Sequence, residues 1–456
     1  MTVAPPASIM TTNVAQELHD LVAELYPICR SITGDGVRDT LRRIQMRLPL
    51  TIHEVPSGTP VFDWIVPREW NIADAWIKTV HGERVVDFQR SNLHVVSYSV
   101  PVNERLSLSE LRQHLHTLPE HPRWIPYKTS YYKEAWGFCV SAEQYAALTE
   151  PVYDVCIDSR LEDGHLTYGE LFVPGETPDE VLCSCHVCHP SLCNDNLSGI
   201  AVAVFLAEWL STLRTRRLSY RFLFIPGTIG SITWLARNLD ALQRIRHGLV
   251  LSGLGGPGGL VYKRSRRGGA EIDRAAANVL KHWDPAGDVR SFIPYGYDER
   301  QYCSPGINLA VGCLSRTPYG EYPEYHTSAD NLAFVRPELL EDSYLACRSI
   351  LDVLEHNVTY MSQNPMCEPQ LGRRGLYGSM GGAAEGRARE LALLWVLNLS
   401  DGTHSLLDVA ERSSLSFESI RQSAEALIEH GLLARPANAT ATVSKGFHEP
   451  TGGEAQ

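Results

Sequence analysis

The stretch from Cys183 to Gly199, CSCHVCHPSLCNDNLSG, concentrates residue types that bind metals. A histidine at the end of an apolar, strand-like run is followed nine residues later by an aspartate between two asparagines. Neutral imidazole and carboxylate both suit Zn2+, and a catalytic zinc usually keeps three protein ligands and one open position. We therefore predict that His186 and Asp195 bind one zinc ion per chain and that a third ligand comes from elsewhere in the chain.

The third ligand and the choice of the first histidine depend on weaker signals. His326, in EYHTSADNL, is the leading candidate for the third ligand, with Asp330 and Tyr325 as neighbours that would fix its ring. His189 competes with His186, although strand alternation places the two on opposite faces if the strand continues. The plain alternative for the whole set is that these are ordinary polar residues at a sheet edge.

Cysteines near these residues allow a second type of zinc site. Four thiolates could hold a structural zinc, but three of these cysteines fall in a strand-like run where alternate side chains face opposite ways. The chain has eleven cysteines, an odd number spread over its length, which favours reduced thiols. The four clustered cysteines are Cys183, Cys185, Cys188 and Cys193.

The composition excludes several broad classes of protein. A chain of 456 residues is expected to form two or three domains. Its formal net charge of -12 opposes nucleic-acid binding, which depends on Lys and Arg contacting phosphates. No apolar run reaches the length of a membrane span, and the first sixteen residues lack the features of a signal peptide. We expect a cytoplasmic protein without membrane or nucleic-acid partners.

Strand and helix patterns alternate from Tyr168 onward, after a first helix predicted from Val14 to Tyr26. This alternation indicates an α/β fold with a mostly parallel sheet covered by helices, in which ligands bind at the carboxyl ends of the strands. The predicted strands are ELFVP, EVLCSCHV, YRFLFIP and HGLVLSGL, and the predicted helices lie near Gly199 to Leu213 and Ser231 to Leu242.

Composition shifts along the chain suggest a domain organisation. The predicted parts are a catalytic domain at 1–50 and 160–365, a β-rich inserted domain at 51–159, a linker at 366–386, a winged-helix-like domain at 387–446 and a disordered tail at 447–456. The third helix of the C-terminal domain, FESIRQSAEALIEH, carries one Arg and several acids, so a three-helix packing module is an alternative to a DNA-binding domain. This module could also serve as a homodimer contact.

Several longer motifs resemble the bacterial aminopeptidase-like family of the zinc exopeptidase superfamily. The motifs are RSITGDG, VPSG, FDWIVPREWNI, SNLHVVSYS, IPYKTSYY, WGFC, HVCHPSLCNDNLSG, DERQYCSPG and RTPYGEYPEYHTSADNL. The resemblance implies a zinc-exopeptidase-like three-layer sandwich and maps the metal ligands of the superfamily onto His186, Asp195 and His326.

The chain departs from the pattern of that superfamily at the catalytic carboxylates. A pair of Glu residues normally supplies the general base and a further ligand, but Gly227 and Thr228 stand at those positions. Cys188 replaces the second residue of the usual His-x-Asp pair, and Gly255 and Gly256 replace a later carboxylate. We therefore expect one metal ion and not two.

Asp298, Glu299 and Arg300, in YDERQYCSPG, could replace the missing groups. The two acids are candidate bases, and the arginine offers a cation for a substrate carboxylate or an oxyanion. The alternative is a helix start with surface ion pairs. A group of aromatic residues could wall a pocket at the domain junction, and the alternative is plain core packing. These residues are Trp70, Tyr131, Tyr132, Tyr319, Tyr322 and Tyr325.

Three functions are compatible with these features. The first is a zinc-dependent hydrolase of amide or peptide bonds in a small-molecule or short-peptide substrate. The second is a non-hydrolytic metalloenzyme or ligand-binding pseudo-peptidase in small-molecule biosynthesis, which the missing Glu favours. The third is a transcriptional regulator, which the acidic balance opposes.

Overall fold

The computed structural model describes residues 14–284, 286–377 and 384–436. The predicted tail at 447–456 and the last ten residues of the predicted winged-helix-like domain lie outside the described residues, as do residues 378–383 of the predicted linker. The chain divides into two compact units between Glu355 and His356.

Helices form where apolar side chains recur at helical spacing. In the first helix Leu18, Leu21, Val22 and Leu25 are all buried, which confirms the prediction for this segment. The helices of the described residues are α1 (Val14–Leu25), α2 (Asp35–Gln45), α3 (Leu108–Leu111), α4 (Ala142–Ala147), α5 (Gly199–Thr212), α6 (Ile229–Arg237), α7 (Glu271–Trp283), α8 (Glu299–Tyr302), α9 (Pro337–His356), α10 (Ala384–Leu399), α11 (Leu406–Ser413) and α12 (Phe417–Glu429).

An eight-stranded sheet forms the centre of the first unit, in the order β1-β10-β12-β11-β13-β16-β14-β15. Its four central strands, from β12 to β16, run parallel. The strands are β1 (Thr51–Pro56), β2 (Pro60–Val61), β3 (Trp64–Ile65), β4 (Glu69–Thr79), β5 (Arg84–Asp87), β6 (Val102–Ser107), β7 (Leu115–His116), β8 (Phe138–Cys139), β9 (Val152–Glu162), β10 (His165–Val173), β11 (Glu180–His186), β12 (Ser219–Ile225), β13 (Ile245–Leu251), β14 (Leu260–Lys263), β15 (Asp288–Arg290), β16 (Val311–Arg316), β17 (Thr359–Ser362), β18 (Asp401–Ser405) and β19 (Leu433–Ala434).

The central strand β11 is buried along its whole length because helices cover both faces of the sheet. On one face the Ser184 hydroxyl lies 2.9 Å from the Tyr302 hydroxyl of α8. On the other face Cys183 lies near Cys347 of α9. Because side chains alternate along a strand, His186 shares its face with Ser184 and therefore with α8. The predicted α/β fold with a mostly parallel sheet between helices is confirmed.

A separate four-stranded antiparallel sheet, in the order β5-β4-β9-β6, forms the β-rich insertion. The sequence predicted that this insertion begins at residue 51, but β1 pairs with β10 in the large sheet. The pattern of apolar residues identifies a strand without showing which sheet it joins, and this explains the difference at the boundary.

The second unit combines α10, α11 and α12 with a three-stranded sheet in the order β18-β17-β19. A capping box between Ser405 and Asp408 begins α11, and the Ser416 side chain caps α12. These elements form the winged helix predicted from the sequence. Since β17 belongs to this sheet, the unit begins earlier than the predicted residue 387.

Two further expectations concern cysteines and membranes. All eleven cysteines are free thiols, as predicted. Across the described residues, no helix combines the length and the apolar character needed to cross a bilayer.

Candidate metal centre and cavity

The first predicted ligand, His186, is the last residue of β11 and is buried. Its Nε2 atom lies 2.8 Å from Oδ1 of Asp195. The ring of Tyr297 stacks on the imidazole at 4.8 Å with an interplanar angle of 18°. The strand end and the stacked ring together fix the position of this histidine.

The second predicted ligand, Asp195, lies in the turn Cys193–Ser198, which we call the metal loop. Both backbone N–H groups of Asn194 and Asp195 donate to the Asp330 carboxylate, at 2.6 and 2.9 Å. Burial opposes the charge of Asp195, but the facing His189 and the other neighbouring imidazoles hold its pKa well below the ordinary value. The carboxylate is therefore ionised and ready to bind a cation.

The third predicted ligand, His326, reaches the same carboxylate from the other side. Its Nε2 atom lies 3.0 Å from Oδ2 of Asp195. Tyr325 stacks on the His326 ring at 3.9 Å, as predicted for a residue that would fix this ring. Asp330, the other predicted neighbour, instead holds the backbone of the metal loop.

His189 also faces Asp195, with its Nε2 atom 3.7 Å from Oδ2. Because β11 ends at His186, the alternation that would separate the two histidines does not continue. The buried Arg30 donates through Nε to the His189 carbonyl at 2.9 Å and holds the loop in place. Potential ligand atoms of His186, His189 and Asp195 lie within 4.8 Å of one another, and His326 is not part of this group. His189 therefore competes with His326 for the third position.

The donor atoms of this group fit a metal ion, although His186 Nε2 and Oδ1 of Asp195 also lie within hydrogen-bond distance of each other. Oδ2 of Asp195 and Nε2 of His326 are both buried, and neither has a hydrogen-bond partner in the described part of the chain. Two such atoms 3.0 Å apart are costly without a shared partner. Imidazole nitrogen and carboxylate oxygen are the donor types that zinc accepts. The four clustered cysteines are absent from this group.

The glycines in place of the later carboxylate have a supporting role. The N–H groups of Gly255 and Gly256 donate to Oδ1 of Asn194 at 2.8 and 3.0 Å, next to the metal loop. A Cβ atom at Gly255 would lie 2.4 Å from a methyl group of Val335, so a larger residue does not fit. The two glycines therefore hold the metal loop in place through their backbone N–H groups.

A cavity of about 410 Å³ opens in front of the three histidines. Four of the predicted aromatic residues line it, whereas Trp70 and Tyr322 do not. The Trp70 ring is buried and its Nε1 donates to the Ser99 carbonyl. Three further aromatic residues line the cavity that the sequence did not single out. The aromatic lining consists of Trp64, Tyr131, Tyr132, Tyr295, Tyr297, Tyr319 and Tyr325.

The structure separates the three charged residues that were predicted to act together. Asp298 and Arg300 line the cavity, but Glu299 does not. Glu299 is fully buried and forms an ion pair with Lys263. Glu299, at the start of α8, therefore neutralises Lys263 of β14 and does not line the cavity. The predicted surface ion pairs do not form either, because both acids are buried.

Asp298 lies beside the glycine that stands in the usual place of the general base. A Cβ atom at Gly227 would lie 3.6 Å from each carboxylate oxygen of Asp298 and 3.1 Å from Cβ of His186. Ser231 donates to Oδ1 of Asp298 at 2.8 Å, while Oδ2 is buried and has no hydrogen-bond partner among the residues that the structure describes. Asp298 therefore places a carboxylate in the space that Gly227 leaves open.

Burial raises the pKa of Asp298 from 3.8 to about 6, although His186 and the Ser231 hydroxyl oppose this rise. A carboxyl group with a pKa near neutrality can accept and release protons under ordinary conditions. The cavity thus contains a carboxylate suited to general-base chemistry beside the candidate metal ligands.

Known protein families account for nearly all of the chain. The family model described as Domain of unknown function (DUF4910) matches residues 19–357, and a winged helix-turn-helix model matches residues 358–435. The chain belongs to the DUF4910 family. The resemblance to aminopeptidase-like proteins inferred from the sequence is confirmed.

Relatives of this DUF4910 chain carry related descriptions. It is 52% identical, over 93% of its length and 97% of the relative, to a Clostridium acetobutylicum protein provisionally named a polysaccharide biosynthesis protein with an aminopeptidase-like domain. A crystal structure of a Clostridium acetobutylicum protein provisionally described as a peptidase has a TM-score of 0.87 at 50% identity, with 92% and 96% of the two chains covered. A zinc aminopeptidase from Bacillus subtilis has a TM-score of 0.54 at 11% identity, with 76% and 96% covered, and shares the fold.

Proposed function

We propose that the chain is a zinc-dependent hydrolase of an amide or peptide bond in a small substrate. His186, Asp195 and His326 would hold one zinc ion, and Asp298 would act as the general base. The observation that carries this proposal is the carboxylate of Asp298 beside the open position at Gly227. The missing Glu does not leave the cavity without a base.

A zinc ion in this centre would polarise the scissile carbonyl group and make a water molecule more acidic. Asp298 would take a proton from the attacking water at Oδ2, the oxygen without a partner, while Ser231 holds Oδ1. The same carboxyl group can then donate the proton to the leaving amine. Its raised pKa places both steps within reach near neutral pH.

The aromatic residues support this chemistry through position. Tyr297 and Tyr325 each stack on an imidazole and limit rotation of the candidate ligands. Tyr127 contacts both His189 and His326 edge-on. Seven of the eighteen residues that line the cavity are aromatic, so a bound substrate would displace water from their rings and strengthen the electrostatic interactions inside.

The second candidate function is a pseudo-peptidase that keeps the metal but not hydrolysis. Gly227 at the usual position of the base favours it. The relative's name suggests a place in polysaccharide biosynthesis, where such a protein could bind or modify a small intermediate. The two candidates differ in whether an amide bond is cleaved.

Metal stripping and reloading tests the first candidate. Chelator-treated protein is reloaded with zinc, its metal content is measured by elemental analysis, and release of amines from a panel of peptides and N-acyl amino acids is followed. We expect close to one zinc per chain and hydrolysis only in the reloaded protein. His186→Ala and His326→Ala should lose the metal, whereas the exposed His81→Ala should retain it.

Absence of zinc after reloading would reject the metal centre. Zinc binding without cleavage of any amide would favour the pseudo-peptidase. Loss of metal in His189→Ala but not in His326→Ala would show that the third ligand is His189 and not His326.

A further inference from the structure

Arg300 lines the cavity, and its charge partly offsets the rise that burial causes in the pKa of the nearby Asp298. No carboxylate in the described residues forms an ion pair with its guanidinium group, and its Nε atom is buried without a hydrogen bond. The adjacent Glu299 is already paired with Lys263. Asp298, two residues earlier, receives its hydrogen bond from Ser231. Because Nε has no accessible surface, contact with a ligand in the cavity falls to the terminal Nη atoms, for which the described residues provide no hydrogen-bond acceptor.

A guanidinium group without an acceptor in the protein favours a ligand that supplies one. The planar group matches both carboxylates and phosphates, because two parallel hydrogen bonds can form with either. Among the residues that line the cavity, Arg300 is the one with a permanent positive charge. A single cation matches the single negative charge of a carboxylate better than the two charges of a phosphate.

The rest of the lining indicates what the anionic group is attached to. Tyr297 and Tyr319 pack edge to face at 5.0 Å, and Tyr295 continues this wall to the surface. Trp64 and Tyr132 also line the cavity and contact each other at 5.4 Å. Aromatic rings in a cavity lining favour an apolar or aromatic side chain of the ligand beside them.

We propose that the substrate is an amide with a free carboxylate and an apolar or aromatic side chain, such as an N-acyl amino acid, and that Arg300 binds the carboxylate. Calling this ligand a substrate rests on the proposed hydrolase function, but binding of the acid does not depend on hydrolysis. The chain would therefore select an amide that carries a negative charge.

Calorimetric titration of the full-length, metal-free protein at pH 7 tests this assignment. N-acetyl-L-tyrosine carries the carboxylate, and N-acetyl-L-tyrosinamide has nearly the same shape without the charge. Metal must be absent because zinc would itself bind a carboxylate. We expect the acid to bind about 10- to 100-fold more tightly than the amide, as for a charged hydrogen bond in a partly buried site.

Arg300→Gln should remove this preference, and Arg300→Lys should retain part of it because the charge remains without the planar fork. Arg214→Gln makes the same charge change on the exposed surface and should leave the preference intact. Thermal unfolding of each variant shows that the fold is retained. If Arg300→Gln does not fold, the comparison of the two ligands in wild type and Arg300→Lys decides.

Equal binding of the acid and the amide to wild type would overturn the proposal, as would an unchanged preference in Arg300→Gln. Acid-selective binding that depends on Arg300, without cleavage by the zinc-loaded protein, would support the carboxylate site and reject the hydrolase. Cleavage of amides without any selectivity for the acid would support the hydrolase and reject the carboxylate site.

Discussion

Replacing Asp298 by Asn removes the charge of the proposed base while keeping the size of the side chain. The oxygen that accepts from Ser231 can remain, so the main loss is the basic Oδ2 atom beside Gly227. A positioned general base contributes about 100- to 10,000-fold to a rate, or about 3 to 5 kcal/mol of barrier. We expect kcat of the zinc-loaded enzyme to fall by about that factor with little change in zinc content.

The same substitution should stabilise the metal-free protein. Burial raises the pKa of Asp298 from 3.8 to about 6, which corresponds to about 3 kcal/mol against the ionised form. The folded protein holds the proton more tightly than the unfolded chain, so its stability falls as pH rises from about 4 to 6 and the full loss applies at pH 7. Asn does not ionise and avoids this loss. We expect Asp298→Asn to gain about 1 to 3 kcal/mol at pH 7, since the charged hydrogen bond from Ser231 is also lost.

Urea unfolding of metal-free wild type and Asp298→Asn at pH 7 and pH 4 measures this gain. It should be large at pH 7 and small at pH 4, where the wild-type carboxyl group is protonated in the folded state. Unchanged hydrolysis in Asp298→Asn would show that another group is the base. A less stable variant at pH 7 would refute the argument from burial.

Gly227→Glu gives a second view of the same carboxylate position. Combined with Asp298→Asn, Gly227→Glu should restore part of the lost rate, because the side chain of residue 227 begins next to the position that the Asp298 carboxylate occupies in wild type. In the wild-type background, Gly227→Glu should not increase the rate of hydrolysis. It should raise the pKa of Asp298, since two carboxylates would share one space. Full activity of Gly227→Glu in the wild-type background would mean that the two carboxylates do not meet.

Three further predictions concern residues outside the cavity. Asp330→Asn should weaken zinc binding by about 10- to 100-fold in a chelator competition, because Asp330 holds two N–H groups of the metal loop; unchanged affinity would assign it a purely structural role. The isolated segment 358–435 should fold and show no salt-sensitive, sub-micromolar affinity for duplex DNA in a mobility-shift assay, and such an affinity would revive the regulator hypothesis. Glu69→Gln should cost about 1 to 3 kcal/mol in urea unfolding at pH 7 because hydrogen bonds from Arg38 lower the pKa of Glu69 to about 2; this contribution disappears as pH falls from about 4.5 to 2, and the exposed Glu104→Gln should show neither effect.

Local patterns predicted much of the fold. The apolar run of β11 and the spacing in α1 identify a buried strand and an amphipathic helix, because each pattern follows from the geometry of its own element. His186 stands at the end of β11, as the sequence predicted. What the pattern could not show is how the chain turns after His186, and therefore that His189 faces the same carboxylate.

Contacts between distant segments were beyond local patterns. Nothing in the spacing of Gly227 and Asp298 indicates that they meet, since the meeting depends on how α8 packs against the sheet. Trp70 and Tyr322 are aromatic like the residues that line the cavity, and the sequence alone does not distinguish them, but their side chains pack elsewhere. The separation of Glu299 from its neighbours depends on Lys263, which no local motif connects to it.

The side chains of the three neighbouring residues at the start of α8 contact different parts of the molecule, and this affects how the protein can evolve. Asp298 faces the candidate metal ligands and Arg300 faces the cavity, while Glu299 between them is tied to Lys263. A recombination event that exchanges this short segment would transfer the reactive group and the contact for the ligand together. Insertion or deletion of one residue would instead bury an unpaired charge opposite Lys263, so a new ligand preference is more accessible through point changes in the aromatic rim than through shifts in this segment.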